Sequence, residues 1–194
     1  MAKRIVLDQC CGVIVDVQEF FLSQIPKRRR AAIETNIRNF AALLGYFRIP
    51  LVVTLERPLD GKGGVPPKLA RRLGDAATFE KDFFDLTQEK AIRDHLRRLK
   101  KGQAIVAGCE TDVCVLQSCL GLIGLGFEVF VVEELLFSAS SHVEAAIARL
   151  KAEGAVFLSY KTLFYELFRS VGASEDTLLK RFGPFPDLPD AAVE

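Results

Sequence analysis

Residues 103–115 read QAIVAGCETDVCV, and the order of apolar and polar residues in this stretch indicates the fold class. Its first part, from Gln103 to Gly108, is an uncharged run that suits a strand buried on both faces. The chain then turns polar and continues into an apolar run, which predicts a buried helix from Asp112 to Leu125. A strand, a tight turn and a helix in this order are the start of a β-α-β unit.

The same alternation of strand and helix repeats on both sides of this stretch. Apolar runs predict four further strands, at Cys11–Val15, Leu51–Leu55, Phe127–Val132 and Ala155–Leu158. Apolar stripes and end signals predict helices around Ile33–Leu44, Thr87–Lys101, Ser141–Gly154, Lys161–Arg169 and Glu175–Arg181. Repeated β-α-β units predict one domain over residues 1–194, with an α/β fold in three layers, α/β/α, and a mostly parallel, Rossmann-like central sheet.

The segments between these elements carry turn and capping signals. The stretch from Arg57 to Gly64 is too rich in glycine and proline for regular structure. Ser141 and Glu144 have the spacing of a capping box at the start of a helix. The proline-rich end, Pro184–Pro189, is expected to be loose or to lie along a neighbouring molecule.

The composition excludes several classes of protein. The 194 residues are 49% hydrophobic and 26% charged with a formal net charge of +1, whereas a nucleic-acid binder would carry a basic surplus. We expect neither a signal peptide nor a membrane span, because no apolar run is long enough. The five cysteines are an odd number without a secretory signal, which favours reduced thiols in the cytoplasm. Two isolated histidines leave a zinc site almost without ligands.

Two chemically useful side chains follow predicted strands. In an open parallel sheet, ligands bind beyond the carboxyl ends of the strands, where Asp16 and Cys114 are placed. The first turn of a helix would lower the pKa of the Cys114 thiol and offer free N–H groups to an oxyanion. A carboxylate at Asp16 would accept and donate a proton. The alternatives are core packing for Cys114 and a cap or turn for Asp16.

A third candidate is Lys81, which lies among aromatic residues in the segment TFEKDFF, residues 78–84. Its ammonium, if near Cys114, would favour a thiolate and hold Asp16 ionised. A lysine between two acidic residues also fits a solvated loop, so Lys81 gains meaning only together with the other two.

Taken together, these features resemble the isochorismatase-like cysteine hydrolases, and most closely a metal-free branch that includes isochorismatase domain-containing proteins. An aspartate that ends the first strand, a lysine in a mid-chain loop and the stretch TDVCV at 111–115 carry the resemblance, which covers about residues 11–169. The resemblance implies a catalytic triad: Cys114 as the nucleophile, Asp16 as proton acceptor and donor, and Lys81 as the supporting cation.

The resemblance also implies an oxyanion hole formed by the backbone N–H groups of Val113 and Cys114, and a cis peptide bond between Cys109 and Glu110. It implies hydrolysis of a small amide or related carbonyl substrate through an acyl-enzyme, with no cofactor. Four side chains near the triad in sequence are expected to bind the substrate: Gln18, Phe20, Phe83 and Glu110.

Two departures from the family pattern bear on the expected metal content and the expected reaction. Nicotinamidases of this family hold a metal with an aspartate and histidines after the second strand, whereas residues 56–68 contain no histidine, so no metal is expected. Isochorismatases proper generally lack the cysteine, so Cys114 argues against vinyl-ether hydrolysis.

The alternative function is a non-catalytic oligomeric binding or thiol-sensing scaffold, because the apolar helix predicted from Val113 to Leu125 suits an interface. Either protein would be a cytoplasmic homo-oligomer, a dimer or larger, that binds a small molecule but neither nucleic acid nor membrane.

Overall fold

The computed structural model describes residues 3–170 and 175–182. The central sheet has six strands: β1 (Cys10–Val15), β2 (Leu51–Glu56), β3 (Ala77–Lys81), β4 (Gln103–Cys109), β5 (Glu128–Phe137) and β6 (Val156–Leu158). They lie in the order β3-β2-β1-β4-β5-β6, and every neighbouring pair is parallel. This order confirms the predicted α/β fold and places the reversal of strand order between β1 and β4, where such sheets bind ligands.

Helices cover both faces of the sheet. They are α1 (Glu19–Ser23), α2 (Lys27–Tyr46), α3 (Leu59–Lys62), α4 (Pro67–Ala70), α5 (Lys90–Leu99), α6 (Leu116–Gly124), α7 (Glu144–Ala152), α8 (Tyr160–Phe168) and α9 (Glu175–Phe182). The apolar sides of α2, α8 and α9 pack on one face, and those of α5, α6 and α7 pack on the other. None of the helices in the described part of the chain is long and apolar enough to cross a membrane.

The central strands are apolar throughout because each of their faces is covered. On β1, Ile14 belongs to the core beneath α2, whereas Val13 and Val15 belong to the opposite core beneath α5 and α6. All six residues of β1 are buried, as the continuous apolar run predicts. The site at the carboxyl edge of the sheet is therefore built on rigid elements.

One glycine brings β1 and β4 close together beside that edge. Gly108 pairs with Val15 and has a φ of +124°, a backbone conformation that favours glycine. A Cβ at this position would lie 2.1 Å from the carbonyl oxygen of Val15. The absence of a side chain at Gly108 thus allows the end of β4 to lie directly against the residue that precedes Asp16.

The structure corrects three local predictions. Lys81 ends the edge strand β3 and does not lie in a loop; the sequence ATFEK at 77–81 has alternating exposure and no long apolar run. The glycine-rich stretch after β2 contains the short helix α3, whose last residue is followed by Gly63 at a φ of 76°. The predicted capping box is wrong, because α7 begins at Glu144 with Val143 as its N-cap and no side chain caps it.

Other boundaries move by a few residues. The helix predicted over Thr87–Lys101 divides into a 3-10 turn at Leu86–Gln88 and α5, which Lys100 ends in a left-handed conformation. The helix predicted from Asp112 begins as a π-helical turn, Thr111–Val115, before α6. The predicted proline-rich end, 184–189, lies outside the described residues.

Candidate active site

Four polar side chains meet at the carboxyl edge of the sheet. Asp16 follows β1, Glu56 ends β2, Lys81 ends β3, and Cys114 lies in the π-helical turn after β4. Their exposed fractions are 0%, 8%, 0% and 1% respectively. Because adjacent parallel strands end side by side, the sheet itself brings together the three residues predicted from the sequence, and adds Glu56.

Asp16 and Lys81 form a fully buried ion pair. The Lys81 Nζ lies 2.7 Å from the Asp16 Oδ2, although the two groups are not aligned as a hydrogen bond. The Thr54 hydroxyl donates to the Asp16 Oδ1 at 2.8 Å. Burial raises the pKa of the Asp16 carboxyl, and the charge of Lys81 only partly opposes this. Asp16 has a φ of 50°, the left-handed region that aspartate tolerates better than most residues.

Lys81 lies within reach of three acidic groups. Its Nζ is 3.5 Å from the Cys114 Sγ and 3.6 Å from the Glu56 Oε2. Burial disfavours the charged ammonium, but the attraction of Asp16, Cys114 and Glu56 outweighs it and raises the pKa of Lys81. The surroundings of Lys81 therefore favour its charged form.

Cys114 is a buried thiol that donates a hydrogen bond. Its Sγ lies 2.9 Å from the Glu56 Oε2, which accepts the thiol proton. Burial raises the pKa of the thiol above its ordinary value, the charge of Asp16 adds to this rise, and Lys81 opposes it. The expectation that a helix N-terminus lowers this pKa is wrong for the resting site, because desolvation is the larger effect.

Glu56 is the residue that the sequence analysis missed. Its Oε1 accepts from the Lys62 ammonium, which also donates to the Arg57 carbonyl oxygen at 2.9 Å. Burial disfavours the charge of Glu56, but hydrogen bonds from Cys114 and Lys62 and the charge of Lys81 lower its pKa overall. Its position in the sequence could have identified it as a site residue, because Glu56 follows the apolar part of β2 as Asp16 follows β1.

The turn that holds Cys114 begins at Glu110. The peptide bond between Cys109 and Glu110 is cis. The Glu110 carbonyl oxygen accepts from the N–H groups of Val113 at 3.1 Å and Val115 at 3.0 Å. The Val113 N–H, predicted to bind an oxyanion, is thus engaged within the turn, and an oxyanion would have to replace that carbonyl.

The four side chains predicted to bind substrate occupy different environments. Gln18 is buried and uses its amide on the backbone: it accepts from the Glu56 N–H at 2.8 Å and donates to the carbonyl oxygens of Glu56 and Gly63. Phe20 and Phe83 are 42% and 52% exposed. Glu110 is partly buried; burial raises the pKa of its carboxyl, and the charge of Glu56 adds to the effect.

Three of the site's acidic groups have the composition of a metal site. The ligand atoms of Asp16, Glu56 and Cys114 lie within 4.8 Å of one another. The Lys81 ammonium, however, is within 3.6 Å of each of them. This ammonium already balances part of the negative charge of the cluster and would repel a divalent cation.

Comparison with known proteins agrees with this architecture. The family model described as "Isochorismatase domain" matches residues 10–162. The secreted isochorismatase effector Isc1 of Phytophthora sojae is 28% identical over 167 residues, which cover 84% of this chain and 78% of that protein.

Two solved structures show the same fold. One is YcaC from Pseudomonas aeruginosa, described with hexane-2,5-diol and covalent acrylamide. It matches with a TM-score of 0.82 and 26% sequence identity, and the match covers 88% of this chain and 85% of the YcaC chain. The other is the YcaC gene product of Escherichia coli, described as an octameric hydrolase of unknown specificity. It matches with a TM-score of 0.86 and 24% sequence identity, and the match covers 94% of this chain and 92% of the E. coli chain.

Proposed function

The chain belongs to the isochorismatase-like hydrolase family, and we propose that it is a cysteine-dependent hydrolase of a small amide or related carbonyl compound. One observation carries the proposal: a buried ammonium, Lys81, lies 3.5 Å from a thiol and 2.7 Å from a carboxyl at the ligand-binding edge of the sheet. A packing cysteine has no need of a buried charged partner, whose burial is costly.

In the proposed mechanism, Asp16 takes the proton of the Cys114 thiol, the thiolate attacks the substrate carbonyl carbon and the carbonyl oxygen becomes an oxyanion. The backbone N–H groups of Cys114 and Val113 stabilise this oxyanion, which replaces the Glu110 carbonyl oxygen as the acceptor of the Val113 N–H. The tetrahedral intermediate then breaks its C–N bond, and Asp16, in its protonated form, gives a proton to the leaving nitrogen. Water attacks the thioester, gives its proton to Asp16 and releases the acid, and the leaving thiolate of Cys114 then recovers that proton from Asp16.

Lys81 supports two negative charges in turn. It stabilises the thiolate before the attack and the Asp16 carboxylate after the leaving nitrogen has taken its proton. Because burial raises the pKa of the Asp16 carboxyl, Asp16 holds the proton taken from Cys114 more readily than an exposed carboxylate would, until the leaving nitrogen takes it.

The amide substrate class rests on the resemblance to the cysteine hydrolases. The covalent acrylamide of the P. aeruginosa YcaC structure fits it, because acrylamide is a small amide and an electrophile. We propose that Glu110, Phe20 and Phe83 contact the substrate near the entrance, whereas Gln18 supports the backbone around Glu56.

We also propose that the chain forms a homo-oligomer, since E. coli YcaC is described as octameric. The exposed phenylalanines Phe20, Phe83 and Phe84 suit burial at such a contact or at a pocket entrance. Five free cysteines favour the cytoplasm, although the P. sojae relative is described as secreted.

The function is tested by turnover of a panel of small aliphatic and aromatic amides, with detection of the amine released. We expect at least one substrate that the wild type hydrolyses and that the Cys114→Ala variant does not. Activity that persists in Cys114→Ala would exclude the cysteine mechanism. A panel without turnover, combined with a stable oligomer, would favour the binding-scaffold alternative.

A further inference from the structure

The two lysines of the site are already paired with carboxylates. The Lys81 ammonium lies 2.7 Å from the Asp16 Oδ2. The Lys62 ammonium donates to the Glu56 Oε1. These four groups carry no net charge when both carboxyls are ionised, so any further carboxylate at this edge of the sheet gives the site a negative charge.

Two further carboxyl groups lie in the segment that positions the thiol. Asp112 lies within the π-helical turn, and its Oδ1 accepts from the Ser138 hydroxyl at 2.6 Å. Glu110 lies at the start of this turn and is partly buried, and its carboxyl is near the Ala139 N–H. These neighbours are neutral, and neither carboxyl forms an ion pair with another residue that the structure describes.

The excess of negative charge acts on the centre of the site. The charge of Glu56 helps to raise the pKa of the Glu110 carboxyl. The charge of Glu110 adds to the rise in the pKa of Cys109, whose thiol donates to the Asp16 carbonyl oxygen at 3.0 Å. The charges of Asp16 and Glu56 help to raise the pKa of Cys114. Nearby negative charge shifts the pKa of carboxyls and thiols in this direction.

We infer that the substrate of this site is a small amide that carries a positive charge, and that the Glu110 carboxylate selects this substrate by pairing with that charge. The inference rests on the proposed hydrolase function and names its substrate class. The amide group reaches the buried Cys114, while the cationic group stays beside Glu110, at the less buried side of the site.

A positive charge on the substrate would offset two unfavourable features of the resting site. A carboxylate that is partly removed from water without a cation is destabilised, and a bound ammonium group would relieve this cost. The same group would oppose the charges that raise the pKa of Cys114, so the bound substrate would favour the reactive thiolate. An anionic amide would have the opposite effect on both.

The aromatic residues next to the site in the chain suit the same class of substrate. Phe20 follows Asp16 on α1, and Phe83 and Phe84 follow Lys81. All three phenylalanines are exposed. The face of an aromatic ring attracts a cation, and quaternary ammonium groups in particular are recognised by aromatic rings. A trimethylammonium group is therefore a suitable cation for the test.

The first test compares two reagents of similar size and opposite charge, trimethylammonioethyl methanethiosulfonate and sulfonatoethyl methanethiosulfonate. Each forms a mixed disulfide with a thiolate and releases methanesulfinate, and mass spectrometry gives the rate at Cys114. The ratio of the two rates, divided by the same ratio for free mercaptoethanol, reports the charge preference of the site independently of its thiol pKa. We expect this ratio to favour the cation in the wild type and to fall roughly tenfold in Glu110→Gln, about 1.4 kcal/mol, because the carboxylate attracts one reagent and repels the other.

Two control variants separate the charge of Glu110 from its structural role. Glu110→Asp keeps the charge and should keep most of the preference for the cation, and it keeps the test valid if Glu110→Gln folds poorly. Glu153→Gln removes a charge at the other edge of the sheet, where the exposed Glu153 lies between α7 and β6. This variant should label as the wild type does.

The second test measures ammonia release from betaine amide and from tert-butylacetamide, which has the same shape but carbon in place of the charged nitrogen. We expect kcat/KM of the wild type to be roughly tenfold higher for betaine amide, and we expect Glu110→Gln to lose most of this preference.

Several results would overturn the inference and leave the hydrolase proposal intact. They are a wild-type labelling ratio that does not favour the cation, a ratio that Glu110→Gln leaves unchanged, and hydrolysis of the neutral amide at a rate equal to or above that of betaine amide. If neither reagent modifies Cys114, or if no amide is hydrolysed at all, the hydrolase and its substrate class are refuted together.

Discussion

Replacement of Lys81 by methionine removes the buried cation while keeping most of the side-chain volume. At the observed separation of 3.5 Å between the Lys81 Nζ and the Cys114 Sγ, the ammonium stabilises a thiolate by about 5 kcal/mol at an effective dielectric constant of about 20. This energy corresponds to a rise of about 3.5 in the thiol pKa when Lys81 is lost.

This magnitude is an upper bound because Asp16 responds to the substitution. Without Lys81, the buried Asp16 takes up a proton and its repulsion of the thiolate ends. We therefore expect Cys114 in Lys81→Met to react with iodoacetamide roughly 10²- to 10³-fold more slowly at neutral pH.

The assay is iodoacetamide labelling as a function of pH, with mass spectrometry of the peptides that contain each cysteine. Lys90→Met is the matched control, since Lys90 is exposed on α5 and pairs only with Asp94 in the described contacts. If Cys114 in Lys81→Met is labelled as fast as in the control, the ammonium does not support the thiolate and the reasoning is refuted.

Three further predictions concern the frame of the site. Gly108→Ala should prevent folding or lower the free energy of unfolding by more than about 3 kcal/mol, because the added Cβ would overlap the Val15 backbone. Urea unfolding measures this change, and near-wild-type stability would show that β1 and β4 can separate there. Gln18→Leu should cost about 2–3 kcal/mol in the same assay, because it leaves the buried Glu56 N–H without its partner, and no loss would mean that water replaces the amide. Lys62→Ala removes a hydrogen-bond donor and a charge that lower the pKa of Glu56, so the pKa of this carboxyl, measured by NMR titration, should rise, and an unchanged pKa would show that Lys62 does not stabilise the carboxylate.

Sequence periodicity predicted the fold because four of the six strands are buried on both faces or nearly so. The strands β1 and β4 are buried at every position, so uncharged and mostly apolar residues follow one another in them without a break. The strand β3 was missed since it lies at the edge of the sheet, where ATFEK alternates between exposed and buried positions. An edge strand of five residues carries little apolar signal.

The candidate site could be predicted only in part. Asp16 and Cys114 follow long apolar strands, so their placement at the edge of the sheet was visible. Glu56 occupies an equivalent place, but a glutamate before an arginine and a proline resembles the start of a loop. The pKa of the thiol was predicted in the wrong direction, because it depends on burial and on two neighbouring carboxyls that local sequence does not reveal.

The most direct test of the account is to locate the covalent intermediate. The wild-type protein is mixed with p-nitrophenyl acetate, quenched in acid and digested, and acetyl groups are mapped over all five cysteines. We predict rapid acetylation confined to Cys114, which disappears on longer incubation as water releases acetate, and slower acetylation in Lys81→Met. Acetylation spread over several cysteines, or a Cys114 adduct that forms no faster in the wild type than in Lys81→Met, would contradict the proposal that this buried cluster is a catalytic triad.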